Sequence, residues 1–175
     1  MIFSQIEYLF FFLLVFGVYW ATPRRRRVWV LLVSSCVFYG SWNVQYLALI
    51  WASTLVDFVA ARRMYGAHRA AVRNRWLLAS LVANLGALAV FKYYGFFTES
   101  LAVLLETMGI AVHMPSLELL LPVGISFYTF QSMSYTIDVW RGRRQPETSL
   151  VYFATYVAFF PQLVAGPIVR SDELI

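Results

Sequence analysis

Long apolar runs separated by short arginine-bearing connectors restrict what this chain can fold into more than any other feature. Nearly uninterrupted hydrophobic stretches occupy residues 3–21, 28–40, 44–61, 76–97, 119–140 and 150–169. A helix needs about 20 predominantly apolar residues to cross the hydrocarbon of a bilayer. It must cross as a helix, because lipid offers no partner to a free backbone N–H or C=O. Composition agrees with that solvent. Hydrophobic residues make up 61% of the chain and charged residues 13%, where a soluble domain has about 45–50% and about 25%. The expected fold is all-α, a polytopic transmembrane helical bundle with about five to six membrane segments.

The formal charge of +5 does not point to nucleic acid. All but Lys92 and Arg170 of the 14 basic residues fall in three clusters, at 24–27, 62–75 and 141–144, each abutting an apolar run. That is the placement expected of cytoplasmic connectors under the positive-inside rule, whereas a nucleic-acid face needs a basic stripe on a folded surface. The single cysteine, Cys36, lies inside an apolar run, so the chain can build neither an internal disulfide nor a thiolate metal site. No cofactor motif is visible.

With the arginines held inside, the run 3–21 starts outside. Its positive residues follow the apolar stretch, the reverse of a secretory signal. Runs 28–40 and 44–61, joined by Ser41-Trp42-Asn43, read as a tight hairpin whose first member is short. Run 76–97 crosses outward, carrying Asn84. Residues 101–112, with Glu106 among them, have the length of an interfacial or re-entrant helix. Run 119–140 crosses inward to the last arginine cluster. Run 150–169 is interrupted by Pro161 and Pro167 with Gly166 between them, so it is expected to enter as a helix and finish as irregular backbone. Such backbone is tolerated at membrane depth only beside protein or a water-filled cavity, which marks the segment as a candidate site.

Within 119–140, Tyr128, Gln131, Tyr135 and Asp138 recur at spacings of three and four, on one helix face. Polar groups in a membrane turn to the bundle interior, since each costs a few kcal/mol or more against hydrocarbon. The face is either the polar wall of a substrate tunnel or a helix–helix seam in which Asp138 pairs with Arg141. Residues 124–128 read Gly-Ile-Ser-Phe-Tyr, but a nucleophile elbow needs glycine where Tyr128 stands and a strand-to-helix turn. Ser126 is therefore not a nucleophile. His68, in the arginine-rich connector, and His113, in an external connector, are poorly placed for a general base, which must reach a substrate hydroxyl.

Two stretches, LPVGISFYTFQSMSYTIDVWRG at 121–142 and FFPQLVAGPIVR at 159–170, resemble the membrane-bound O-acyltransferase family. The branch they resemble contains the alginate O-acetylases and the teichoic-acid D-alanyl transfer proteins. FYGSWN at 38–43 and FKYYGFF at 91–97 also look like that family, in its order along the chain. The resemblance implies a transferase that moves an acyl group, commonly acetyl, onto a hydroxyl of an extracellular polysaccharide such as alginate. Teichoic-acid alanylation and peptidoglycan O-acetylation are its alternatives, and a transporter or a non-catalytic assembly subunit is the reading from another class. It implies a thioester-type acyl donor, a polysaccharide acceptor reached through periplasmic or extracellular partner proteins, contact with membrane lipid, and no cofactor.

Family members carry an essential histidine well beyond the counterpart of Arg170. Neither His68 nor His113 matches it, so no catalytic residue is assigned. Residues 1–175 are expected to be the N-terminal part of one membrane-embedded acyltransferase domain in the bacterial inner membrane, with the catalytic C-terminal part outside them. The residues expected to line the substrate path are Gln131, Tyr135, Asp138, Gln162, Gly166 and Pro167. Orientation is directly testable. Single cysteines introduced into the connectors 24–27, 62–75 and 141–144 should react with an impermeant maleimide only after the cell is opened, and labelling of intact cells would overturn the topology.

Overall fold

The computed structural model describes residues 6–109 and 124–165. Its elements follow in the order α1 (Ile6–Ala21), a 3-10 turn (Arg24–Arg26), α2 (Arg27–Gly40), α3 (Val44–Tyr65), α4 (Ala70–Thr107), α5 (Ile125–Trp140), α6 (Leu150–Ala158) and α7 (Phe160–Ala165). No strand occurs among the described residues, so the all-α class is observed. Two of the described helices, α3 and α4, are long and apolar enough to cross a membrane, while α1 and the stretch Leu150–Gln162, which takes in α6 and the start of α7, are apolar but shorter. At 14 residues α2 is short, as its sequence suggested; it rises roughly 21 Å against a hydrocarbon core of about 30 Å.

The α2–α3 hairpin turns on three residues because Asn43 is extended and its side-chain oxygen accepts the N–H of Gln45 at 2.8 Å, capping α3. Two expectations are corrected. The connector 62–75 is mostly helical: α3 runs on to Tyr65 and α4 begins at Ala70, leaving only 66–69 between them. Nor is there a break between the runs 76–97 and 101–112. One 38-residue helix covers 70–107, because nothing in Thr98-Glu99-Ser100 excludes helix as proline would. Thr98 Oγ1 donates back to the carbonyl of Tyr94 at 2.9 Å, within the helix. Residues 110–112, with His113, lie outside the described residues.

Helix α5 packs on α3 and α4, α6 packs on α2 and α3, and α1 lies against α2. The three basic clusters meet at one end of this bundle. Arg73 donates to the carbonyl of Trp140, and the Trp140 indole donates to Asn74 Oδ1 at 2.9 Å, which joins the second cluster to the third. Arg24 and Arg27 line a cavity with Tyr152 and Thr155 of α6, the helix that follows the third cluster. Large apolar side chains cover much of the surface: Leu78, Val82 and Val90 of α4 are half exposed or more, and α4 buries only Ser80, Asn84 and Leu88.

Between α3, α4 and α5 the core is polar. Asp57 is fully buried. Its Oδ1 accepts from Ser80 Oγ at 2.5 Å and from Asn84 Nδ2 at 2.8 Å, and Ser132 of α5 approaches from the third side. Asp57 Oδ2 and Asn84 Oδ1 have no hydrogen-bond partner among the described residues. Interhelical side-chain hydrogen bonds of this kind help to tie apolar helices to one another. Asp57→Leu should therefore destabilise the full-length protein in detergent by about 1–3 kcal/mol, the cost of leaving Ser80 and Asn84 unmatched, while Asp57→Asn should lose less. An unfolding midpoint unmoved by Asp57→Leu would remove the network from the determinants of the fold.

Candidate functional site

The site is built on a broken helix. Proline inside a helix removes a donor and clashes with the carbonyl four residues earlier. For Pro161 that carbonyl belongs to Val157. The chain avoids the clash by leaving the helix at Phe159, whose ψ of 105° is extended, and restarting at Phe160, so that Pro161 falls in a first helical turn. Residues 150–165 thus form two helices with a one-residue hinge, where the sequence suggested a helix followed by irregular backbone. The far end of that run, including Gly166 and Pro167, lies outside the described residues.

The hinge separates two groups that an unbroken helix would join, the carbonyl of Tyr156 and the N–H of Phe160. Each is satisfied by a side chain from another helix. Gln131 Nε2 of α5 donates to the Tyr156 carbonyl at 2.9 Å, and Ser35 Oγ of α2 accepts the Phe160 N–H at 3.3 Å. Gln131 Nε2 also stands 3.5 Å from Gln162 Oε1. Ser35, Gln131 and Gln162 are all buried. The Phe160 ring closes the other side, with its centroid 5.3 Å from Phe11 and 5.5 Å from Phe38.

Of the residues expected to line the path, Gln131 and Gln162 come together at this hinge. Tyr135 is one turn further along α5, fully buried, with its ring against Phe153 at 4.6 Å. Its hydroxyl accepts the N–H of Glu147 at 2.8 Å, and the Arg144 guanidinium lies 5.7 Å from its ring centre, so it anchors the connector that follows α5. Asp138 is half-buried, and its side chain reaches neither the hinge nor, by any salt bridge among the described residues, Arg141. Ser126 sits in the first turn of α5 behind Gly124, whose φ of 78° suits only glycine; the segment opens a helix, not a nucleophile elbow. His68 is exposed in the connector between α3 and α4.

Sequence reasoning missed Ser35 and Asp57. A signal existed for both: each is a polar residue inside an apolar run, and such residues face the interior. It also left Tyr128 out of the path. The Tyr128 hydroxyl is buried, three residues before Gln131 on the same face, and has no hydrogen-bond partner among the described residues. The cluster can orient a hydroxyl or carbonyl through neutral hydrogen bonds, but it contains no group suited to taking a proton at neutral pH. Among the described residues no three His, Cys, Asp or Glu side chains gather as metal ligands.

Removing either support should loosen the hinge. Ser35→Ala is expected to cost about 1–3 kcal/mol and to accelerate hydrogen exchange at the Phe160 amide. Unchanged exchange there would show that Ser35 does not hold it.

The comparisons with known proteins bear out the resemblance read from the sequence. The chain is 40% identical over 177 residues to a probable alginate O-acetylase of Azotobacter vinelandii, covering 100% of the chain and 35% of that protein. It is equally similar to a probable alginate O-acetylase of Pseudomonas aeruginosa, of which it covers 34%. A peptidoglycan O-acetyltransferase of Helicobacter pylori is 30% identical over 197 residues, covering 99% of the chain and 36% of that protein. The chain therefore spans about one third of the length of these relatives. No family model matches it, and no solved structure does.

Proposed function

We propose that this chain is part of a membrane-embedded O-acetyltransferase that acetylates hydroxyls of an extracellular polysaccharide of the alginate type. The observation that carries the reading is similarity over the whole chain, at 40% identity, to proteins described as alginate O-acetylases. Peptidoglycan is the second acceptor to consider, on the strength of the Helicobacter relative.

In the proposed reaction an acceptor hydroxyl oxygen attacks the carbonyl carbon of a thioester-type donor. A C–O ester bond forms, the C–S bond breaks, and the hydroxyl proton passes to a general base. That base, a histidine, is proposed to lie in the part of the relatives' length that this chain does not span. The share of residues 6–165 is to hold the reactants. Tyr128 offers a buried phenolic donor beside the hinge, and the Gln131–Gln162 pair supplies a neutral amide surface that can orient a carbonyl without competing as a nucleophile.

The bilayer reading is supported by the length of α3 and α4 and by apolar side chains that face outward along α4, where water would be a costly neighbour. The same reading places the arginine-bearing end in the cytoplasm of a bacterial inner membrane, with the N-terminus of α1 outside, and counts about five to six membrane segments. Periplasmic or extracellular partner proteins are proposed to carry the polymer to the outer face.

The test is acyl analysis of the envelope polysaccharides in a deletion strain. Loss of acetyl from one polymer, restored by the full-length gene, identifies the acceptor. In that background Gln131→Ala and Tyr128→Phe should each lower acetylation about tenfold or more, the effect of some 1.4 kcal/mol of lost transition-state stabilisation. Normal acetylation by both variants at normal expression would remove the hinge from the substrate path.

A further inference from the structure

Two cavities between α1, α2 and the broken helix α6–α7 share lining residues. The first, of about 360 Å³, lies at the arginine-bearing end of the bundle between Arg24, Arg27, Tyr19 and Tyr152, with Tyr156 at its inner side. The second, of about 300 Å³, is apolar and runs along α1 past Phe12, Phe16 and Phe159 to Pro161. Tyr19 and Leu31 line both, so the two adjoin and are taken together as one groove with a cationic head and a hydrocarbon-like tail.

The cationic head is prepared for an anion. The Nε of Arg27 donates to the carbonyl of Thr22 at 3.1 Å, and its guanidinium carbon lies 4.9 Å from the ring centres of both Tyr19 and Trp20. These contacts fix the guanidinium plane. A guanidinium carries five N–H donors in a rigid fork, and among the described residues Arg27 makes no side-chain hydrogen bond beyond the one from Nε. Arg24 makes no side-chain hydrogen bond or salt bridge among them. Among the described residues no acidic side chain lines the cavity. Two guanidiniums lining one cavity, with no acidic neighbour there among the described residues, match a phosphate, which takes paired donors from arginine. Basic pockets between helices at a membrane surface are also where anionic lipid headgroups bind.

We infer that this groove is a binding site for an anionic phospholipid, with the phosphate seated between Arg24 and Arg27 and one acyl chain lying along α1 toward Pro161. The occupant is a lipid and not a free anion because the basic cavity adjoins, across Leu31 and Tyr19, an apolar one of similar size. Tyr19 and Trp20 stand at the junction, the position aromatic rings take at a membrane interface. The bound lipid would touch both ends of the hinge, since Tyr156 lines the head of the groove and Phe159 its tail. The inference rests on the bilayer reading above but not on which face of the membrane is cytoplasmic. Lipid retention is blind to sidedness, so failure here and failure of the proposed topology are read separately.

The test uses the full-length protein purified from mixed micelles holding equal amounts of phosphatidylglycerol and phosphatidylcholine, with retained lipid counted by native mass spectrometry. Phosphatidylglycerol should be retained in clear excess. Each arginine removed should reduce the preference about fivefold, so that Arg24→Gln together with Arg27→Gln brings it close to parity. Arg24→Gln alone, at an exposed position, serves if the double variant does not fold. Leu31→Trp, which fills the junction and leaves the arginines in place, should also reduce retention. Equal retention of the two lipids, or undiminished preference in Arg24→Gln, would overturn the site. Loss of the lipid to inorganic phosphate with Leu31→Trp silent would reduce the groove to an anion pocket and overturn the assignment of a lipid.

Discussion

Every polar backbone group inside this bundle needs a partner that neither lipid nor apolar side chains supply. Within a helix the ladder provides it. Where Pro161 forces the ladder to part, the rest of the molecule must respond. Gln131 on α5 and Ser35 on α2 are that response, one taking the freed carbonyl and the other the freed N–H. The hinge is thus a junction of three helices, and its geometry is fixed by hydrogen bonds from helices that would otherwise meet only through apolar contact. A bend tied down in this way can present polar atoms inside an apolar bundle without unravelling.

The Asp57 network applies the same constraint to side chains. It binds α3 to α4 through Ser80 and Asn84 and brings Ser132 of α5 alongside. Ser132 follows Gln131 in the chain, so α5 carries the hinge contact and the network contact on adjacent positions. Tyr135 continues the line to the arginine-bearing end through Glu147 and Arg144. One helix face therefore links three separate polar features, which explains why α5 is polar along a stripe and aromatic elsewhere, with Phe127 and Phe130 exposed.

Much of this was legible in the sequence. Arginine clusters marked one end of the bundle, the three- and four-residue spacing from Tyr128 through Gln131 to Tyr135 marked the buried stripe, and Pro161 marked the broken helix. What the sequence did not disclose was partnership. Nothing in the one-dimensional pattern says that Gln131 meets the carbonyl of Tyr156, 25 residues later, or that Ser35 meets an amide 125 residues away. Asp57 was overlooked because the run around it is apolar enough to read as an ordinary span. The break anticipated at residues 98–100 failed because polar residues interrupt a hydropathy pattern without interrupting a helix. Asp138 shares the stripe by spacing, yet α5 ends two residues later, which leaves it at the rim.

The gathering of three arginine clusters at one end has a kinetic consequence. In the bilayer proposed for it, the bundle could invert only by dragging all of those guanidiniums through hydrocarbon together, at a few kcal/mol or more apiece. No thermal fluctuation achieves that on the lifetime of a cell. The direction in which the chain is first threaded into the bilayer is in that sense a permanent record, and any two-faced chemistry built on the bundle inherits its vectorial character from the moment of synthesis.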